Sequence, residues 1–102
     1  MINGNWQLAF ETPIGKMEVF IDVETDGEVV TGVLNSKTNE NIQIMDGKIE
    51  GNVFTFSVHI KTPLGVSTNA NWILTVDGDT MSGTVITTFF GKFNVLGVKR
   101  YL

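Results

Sequence analysis

A five-residue turn sequence occurs twice, fifty positions apart, and this repeat constrains the fold more than any other feature. Glu11-Thr12-Pro13-Ile14-Gly15 returns as Lys61-Thr62-Pro63-Leu64-Gly65. At the same offset Trp6, Leu8 and Phe10 fall on Phe56, Val58 and Ile60. Farther along the offset becomes 51: Asp26-Gly27 falls on Asp77-Gly78, Gly32 on Gly83, and Ile42-x-Ile44 on Phe93-x-Val95. The chain reads as two similar halves, about 4–50 and 54–102, within one domain spanning 1–102. Repeated units of this size bury their apolar faces against each other.

Within each half the pattern has period two. Met17, Val19, Ile21 and Val23 alternate with Lys16, Glu18, Asp22 and Glu24, and Phe54, Phe56, Val58 and Ile60 alternate with Thr55, Ser57, His59 and Lys61. Such alternation is the signature of strands with one buried face. No apolar stripe at helical spacing appears, and β-branched and aromatic residues fill the runs. Turn chemistry divides them. The Thr-Pro-x-Gly segments combine a preset φ with a glycine for positive φ, and Asp26-Gly27 and Asp77-Gly78 mark tight hairpins. Ser36 to Asn39, Glu50-Gly51-Asn52 and Phe90-Gly91 supply the remaining turns. Eight strands follow, at about 4–12, 16–25, 28–36, 40–49, 53–61, 66–76, 80–89 and 92–101.

Every connection is short, so each strand pairs with its sequence neighbour. Closing the first strand onto the last removes both raw edges. The expected fold is therefore an all-β, eight-stranded antiparallel up-and-down barrel of two four-strand repeats. A two-sheet sandwich is the alternative, although sandwiches use longer crossovers.

Parity assigns the lining. Trp6, Leu8, Phe10, Met17, Val19, Ile21, Val23, Val30, Leu34, Ile42, Ile44, Phe54, Phe56, Val58, Ile60, Ala70, Trp72, Leu74, Val76, Met81, Val85, Phe89, Phe93 and Val95 should point inward. Gly32 and Gly83 should join them, at matching places in the two halves. The turns after strands one, three, five and seven share one rim, where the inward positions are Thr12, Ser36, Thr62, Thr68 and Thr87. The opposite rim holds the two Asp-Gly turns, the Glu50–Asn52 turn and both termini. Apolar walls with a few polar groups at one end describe a binding pocket, although threonine is also a good strand residue in its own right. The expected pocket is small and apolar, near the hydroxyl rim, lined by Phe10, Thr12, Met17, Ile60, Thr62, Thr68, Thr87 and Phe89. The two tryptophans and five phenylalanines of the lining consume much of an eight-strand lumen.

Two further residues carry a resemblance. Gly4-Asn5-Trp6 opens the first strand and Arg100 lies near the end of the last. On these residues, and on strand number and order, the chain resembles the calycin superfamily of lipocalins, fatty-acid-binding proteins and avidins. There a Gly-x-Trp starts strand one, and an arginine of the last strand packs across the tryptophan. The resemblance implies that Trp6 and Arg100 form a structural closed end, opposite the hydroxyl rim. The chain is also similar to compact bacterial lipocalin-like domains with repeated Thr-Pro-x-Gly turns, whose activity is uncharacterised. It departs from lipocalins in having no cysteine, no C-terminal helix and fewer residues, and it lacks the helical lid of fatty-acid-binding proteins.

Charge and composition narrow the partners. Seven basic residues are scattered among eleven acidic ones, for a net charge of −4. Phosphate binding calls for clustered Lys and Arg, so nucleic acid is not expected. No basic amphipathic stretch addresses a membrane surface, and no long apolar run spans one. With no cysteine there is neither a disulfide nor a thiolate site. The start lacks the pattern of a signal peptide, so a cytoplasmic location is expected.

Candidate chemistry is sparse. His59 is the only histidine and alternates outward, which excludes a two-histidine metal site. Glu18, Asp22 and Glu24 share an outer face, a pattern of solvated strand positions more than of a cation site. Parity places no carboxylate deep inside, and neither a metal nor a cofactor is implied. Outward apolar residues include Phe20, Val29, Val33, Ile73, Ile86, Phe90 and Leu96. A contiguous patch of Ile73, Ile86 and Leu96 on strands six to eight would pair two copies as a homodimer.

Three functions fit. The first is a non-catalytic carrier or sensor of a small apolar molecule. The second is an isomerase or cyclase of small-barrel type, which requires Glu11, Asp46, Lys99 or His59 in the pocket. The third is a solid-cored interaction module.

Overall fold

A computed structural model describes residues 2–13, 15–36, 41–61, 67–88 and 91–101, the side chain of Lys61 excepted. It contains β1 (Gly4–Thr12), β2 (Gly15–Asp26), β3 (Val29–Asn35), β4 (Ile42–Gln43), β5 (Met45–Glu50), β6 (Val53–Lys61), β7 (Ser67–Asp77), β8 (Thr80–Thr87) and β9 (Gly91–Arg100). Antiparallel ladders join β1–β2, β2–β3, β3–β4, β3–β5, β5–β6, β6–β7, β7–β8 and β8–β9, and β1–β9 completes the ring. Segments β4 and β5 share one stave. The fold is a closed eight-stranded up-and-down barrel, consistent with a calycin-like architecture, and the sandwich alternative falls. Among the described residues no helix is long and apolar enough to cross a membrane.

The expected fourth strand, 40–49, is broken. Val33↔Gln43 and Leu34↔Ile42 hold β4 on β3, but the register has moved by one residue at Val29↔Lys48. The β5–β6 ladder shifts in the same place, between Met45 and Lys48. Asp46, with φ of 55°, is the extra residue of a β-bulge. Connection length explains the repeat arithmetic. Lys61 pairs with Ser67 where Glu11 pairs with Lys16, so the second half carries one more connecting residue and the offset grows to 51. The bulge residue then adds one to the first half.

Parity holds inside the barrel. Trp6, Leu8, Val19, Ile21, Val23, Val30, Leu34, Phe54, Phe56, Val58, Ala70, Trp72, Leu74, Met81, Val85 and Val95 are buried. Phe10, Ile42, Ile44, Ile60, Val76 and Phe93 pack against them, half-buried. Gly32 and Gly83 make the same close approach in the two halves. A Cβ on Gly32 would stand 2.4 Å from the carbonyl oxygen of Asp22, and one on Gly83 1.9 Å from that of Ile73. Only a residue without a side chain lets the strands cross so closely.

The two ends are built differently. Asp26↔Val29, Glu50↔Val53 and Asp77↔Thr80 are closed by two-residue loops that begin with Gly27, Gly51 and Gly78 at φ near +60°. The Asp-Gly pairs thus mark hairpins as expected, but each aspartate is the last strand residue and glycine opens the loop, as in a II′ turn. Ile2 is buried beneath these turns, and its carbonyl accepts the indole N–H of Trp6 at 2.9 Å. Asn3 Oδ1 accepts from the backbone N and the hydroxyl of Thr25 at 2.9 and 2.8 Å. The N-terminal segment is thereby pinned across this end.

Arg100 corrects an expectation. It does share the rim of Trp6, but Asn5 is its ladder partner, so it points outward, and its guanidinium lies over Phe20 at 4.4 Å. Lys99 pairs with Trp6, points inward, and holds its ammonium 5.9 Å from the centre of the Trp6 ring. The cation over the tryptophan is thus a lysine, displaced by one residue from the arginine that the resemblance implied.

Candidate functional site

At the end opposite the Trp6 seal, the lining loosens. Met17 faces inward beside Phe10 yet is 38% exposed, whereas Val23, three inward positions further along the same strand, is buried. Phe10, Thr12, Ile60 and Thr87 are half-buried and Thr68 is buried at 5% exposure. Cross-strand pairs bring these residues together: Phe10 faces Met17, and Ile60 faces Thr68. Thr62 and Phe89, the other two expected pocket residues, lie outside the described residues.

Aromatic rings form the floor. Phe54 and Phe56 lie 4.9 Å apart, Phe56 and Trp72 stack at 5.4 Å with 8° between planes, and Phe10 meets Trp72 at 5.7 Å and 79°. Phe93 adds a contact to Phe10 at 6.1 Å. Phe10 on β1 and Trp72 on β7 are not on neighbouring staves, so this contact reaches across the lumen. Aromatic edge-to-face packing of this kind fills the middle of the barrel. Any pocket is confined to the stretch between the rings and the rim.

The rim hydroxyls are not equivalent. Thr12 donates to the Gly15 carbonyl at 2.9 Å and Thr87 to the Gly91 carbonyl at 3.0 Å, so each ties its strand to the start of the next. Thr68 reaches only the Asn69 carbonyl, at 3.5 Å, beyond the range of a good hydroxyl bond. Deeper still, the indole N–H of Trp72 has no partner although the residue is 2% exposed. Leaving a buried donor unpaired costs about 1–3 kcal/mol. Two other buried atoms lack partners, Asn5 Oδ1 and Arg100 Nε, but these are an acceptor and a donor on directly paired outer positions. Trp72 has no such complement. Sequence reasoning placed Trp72 in the wall and gave it no role. A tryptophan amid an apolar face carries that clue itself, because indole brings a polar edge that phenylalanine lacks.

The residues through which catalysis would run stand elsewhere. Glu11 pairs with Lys16 on the outer face, and Asp46 is exposed in the bulge. His59 is exposed, with Nδ1 2.7 Å from Asn69 Oδ1. Lys99 is inward but at the sealed end. Among the described residues no group of three or more His, Cys, Asp or Glu side chains is arranged to hold a metal ion.

Outside, two grooves flank the bulged seam. One, of about 760 Å³, runs past Asp22, Glu24, Thr31, Gly32 and Gln43. The other, of about 490 Å³, is bounded by Glu28, Thr31, Asp46 and Lys48. Both are open and acid-bearing, unlike the apolar mouth. On the far wall Ile73, Ile86 and Leu96 are exposed, Leu96 at 70%. Most of their lateral neighbours are polar: Ile73 lies between Thr55 and Thr84, Ile86 between Asn71 and Lys92, and Leu96 between Ser82 and Ala9.

No protein-family model matches the chain, and no curated protein is significantly similar to it.

Proposed function

We propose that the barrel binds a small apolar molecule at its hydroxyl-bearing mouth, as a non-catalytic carrier or sensor. The observation that supports this most is the asymmetry of the two ends. At the Trp6 end Ile2 and Val23 are buried and Val76 is half-buried, while Met17, of the same parity as Val23, meets solvent. An apolar wall left open above an aromatic floor is the ordinary form of a ligand site. Among the described residues the pocket comprises Phe10, Thr12, Met17, Ile60, Thr68 and Thr87. Binding is favoured over an isomerase or cyclase because Glu11 and His59 alternate outward beside this mouth, Asp46 is exposed in the bulge and Lys99 lies at the opposite end. The filled middle of the barrel is the specific observation behind a second reading, a solid-cored interaction module. The calycin-like, bacterial lipocalin-like assignment and a cytoplasmic location belong to the same proposal. So does a homodimer through Ile73, Ile86 and Leu96.

Native mass spectrometry of freshly purified protein tests it. A discrete excess mass that is lost on denaturation is the expected result, and the native peak counts subunits. A clean mass, unchanged by a panel of apolar compounds, would move the function to the interaction module.

A further inference from the structure

We infer that Trp72 is the ligand-orienting donor of this barrel, and that the molecule it selects carries a neutral oxygen acceptor on an otherwise apolar body. The inference rests on the mouth being a binding site and specifies the chemistry of its occupant.

Three observations converge on it. The Trp72 N–H is buried and unpartnered, while the other indole in the chain, Trp6, is satisfied by the Ile2 carbonyl. Native interiors rarely leave such a donor orphaned without a function or a guest. One face of the Trp72 indole is covered by Phe56 and Phe10 stands against it almost perpendicularly, so the polar edge is what remains for recognition. Between Trp72 and the rim on the same inward face lie Ala70 and Thr68. Ala70 projects only a methyl group, so β7 places no large side chain between Thr68 and the indole. Thr68 brings a buried, poorly bonded hydroxyl to the same face.

The acceptor is expected to be neutral. No lysine or arginine is among the described inward residues of the mouth, and Lys16 pairs outward with Glu11. A carboxylate would be desolvated there without a counter-charge. A ketone, ester, ether or alcohol oxygen needs only the one donor. The ligand class is thus an apolar molecule with a single carbonyl or hydroxyl oxygen at the end that enters first.

The test uses 2-octanone, 1-octanol and n-octane as matched probes on the ¹⁵N-labelled wild-type protein. Two indole N–H resonances are expected, one from each tryptophan, assigned with Trp6→Phe and Trp72→Phe. Binding of 2-octanone should move the Trp72 resonance and leave that of Trp6 in place. Octane should bind on the order of tenfold more weakly, the size of one net hydrogen bond. Ala70→Val, which adds bulk between Thr68 and the indole without removing the donor, should abolish the shift. Equal binding of ketone and alkane with an unmoved Trp72 resonance would overturn the inference and leave the binding site standing. A persistent cross-peak from the Trp72 N–H to a bound water, with or without ketone, would also overturn it. If none of the three probes binds, the proposed site itself fails and the inference falls with it.

Discussion

The carbonyl oxygen of Ile2 accepts the indole N–H of Trp6 at 2.9 Å, so the polar edge of a completely buried tryptophan is satisfied by a residue just four positions earlier. That bond and the Ile2 side chain close one end of the barrel. Ile2→Ala keeps the carbonyl and removes the plug, and it should cost about 2 kcal/mol, the low end for a buried isoleucine. In a Trp72→Phe background Trp6 is the only tryptophan, so acrylamide quenching reports on the seal. Quenching should rise in Ile2→Ala. Unchanged stability and quenching would mean that the N-terminal segment does not close the barrel.

Gly32 and Gly83 should be intolerant of any side chain. A methyl group at either meets a backbone oxygen, which cannot rotate away as a side chain can. Gly83→Ala and Gly32→Ala should each destabilise by about 1–3 kcal/mol, the usual range for overpacking, with Gly83→Ala the worse because its approach is closer. Urea denaturation measures both. Thr84→Ala, at a neighbouring position of β8, is the control and should lie within about 1 kcal/mol of wild type.

The barrel was legible because nearly every strand has one wet and one dry face, and alternation reports that directly. Its interruption was not. The offset change from 50 to 51 shows that the halves differ by single residues, but the registers were needed to place them at 62–66 and Asp46. A clue was available: Asp46-Gly47 repeats the dipeptide of the two Asp-Gly turns, and inside a strand it marks a bulge. The Arg100 expectation failed for a different reason. Lys99 and Arg100 are adjacent cations, and a one-residue choice of register sends one to Trp6 and the other to Phe20. Residue type alone does not make that choice. At the mouth, the residue set followed from parity. Which hydroxyls fasten turns and which remain poorly bonded depends on distances that no pattern encodes.

Tyr101 offers a clean titration, since it is the only tyrosine. Its hydroxyl donates to Asp79 Oδ1 at 2.7 Å, and this bond, with the nearby carboxylate charge, holds the phenol above its ordinary 10.0. The folded value is raised, so the contribution to stability is complete below the unfolded pKa and disappears as pH rises through the folded value. Phenolate absorbance should therefore appear at higher pH in the folded protein than in urea. Asp79→Ala should bring the two curves together. Coincident curves in the wild type would mean the bond does not persist in solution.

Met17 and Val23 face the same lumen from one strand, yet they should respond in opposite ways to a polar substitution. Met17 already meets solvent at the mouth, so Met17→Thr should cost less than about 1 kcal/mol, most of its apolar contact being partial. Val23 is 2% exposed near the sealed end. Val23→Thr keeps the shape but buries a hydroxyl among apolar neighbours, and it should cost about 1–3 kcal/mol. Urea denaturation gives both values. Met17→Thr also probes function, because its stability should survive while its affinity for 2-octanone falls through loss of apolar wall. Equal destabilisation at the two positions would mean that both ends are sealed alike, which would remove the asymmetry on which the binding proposal stands.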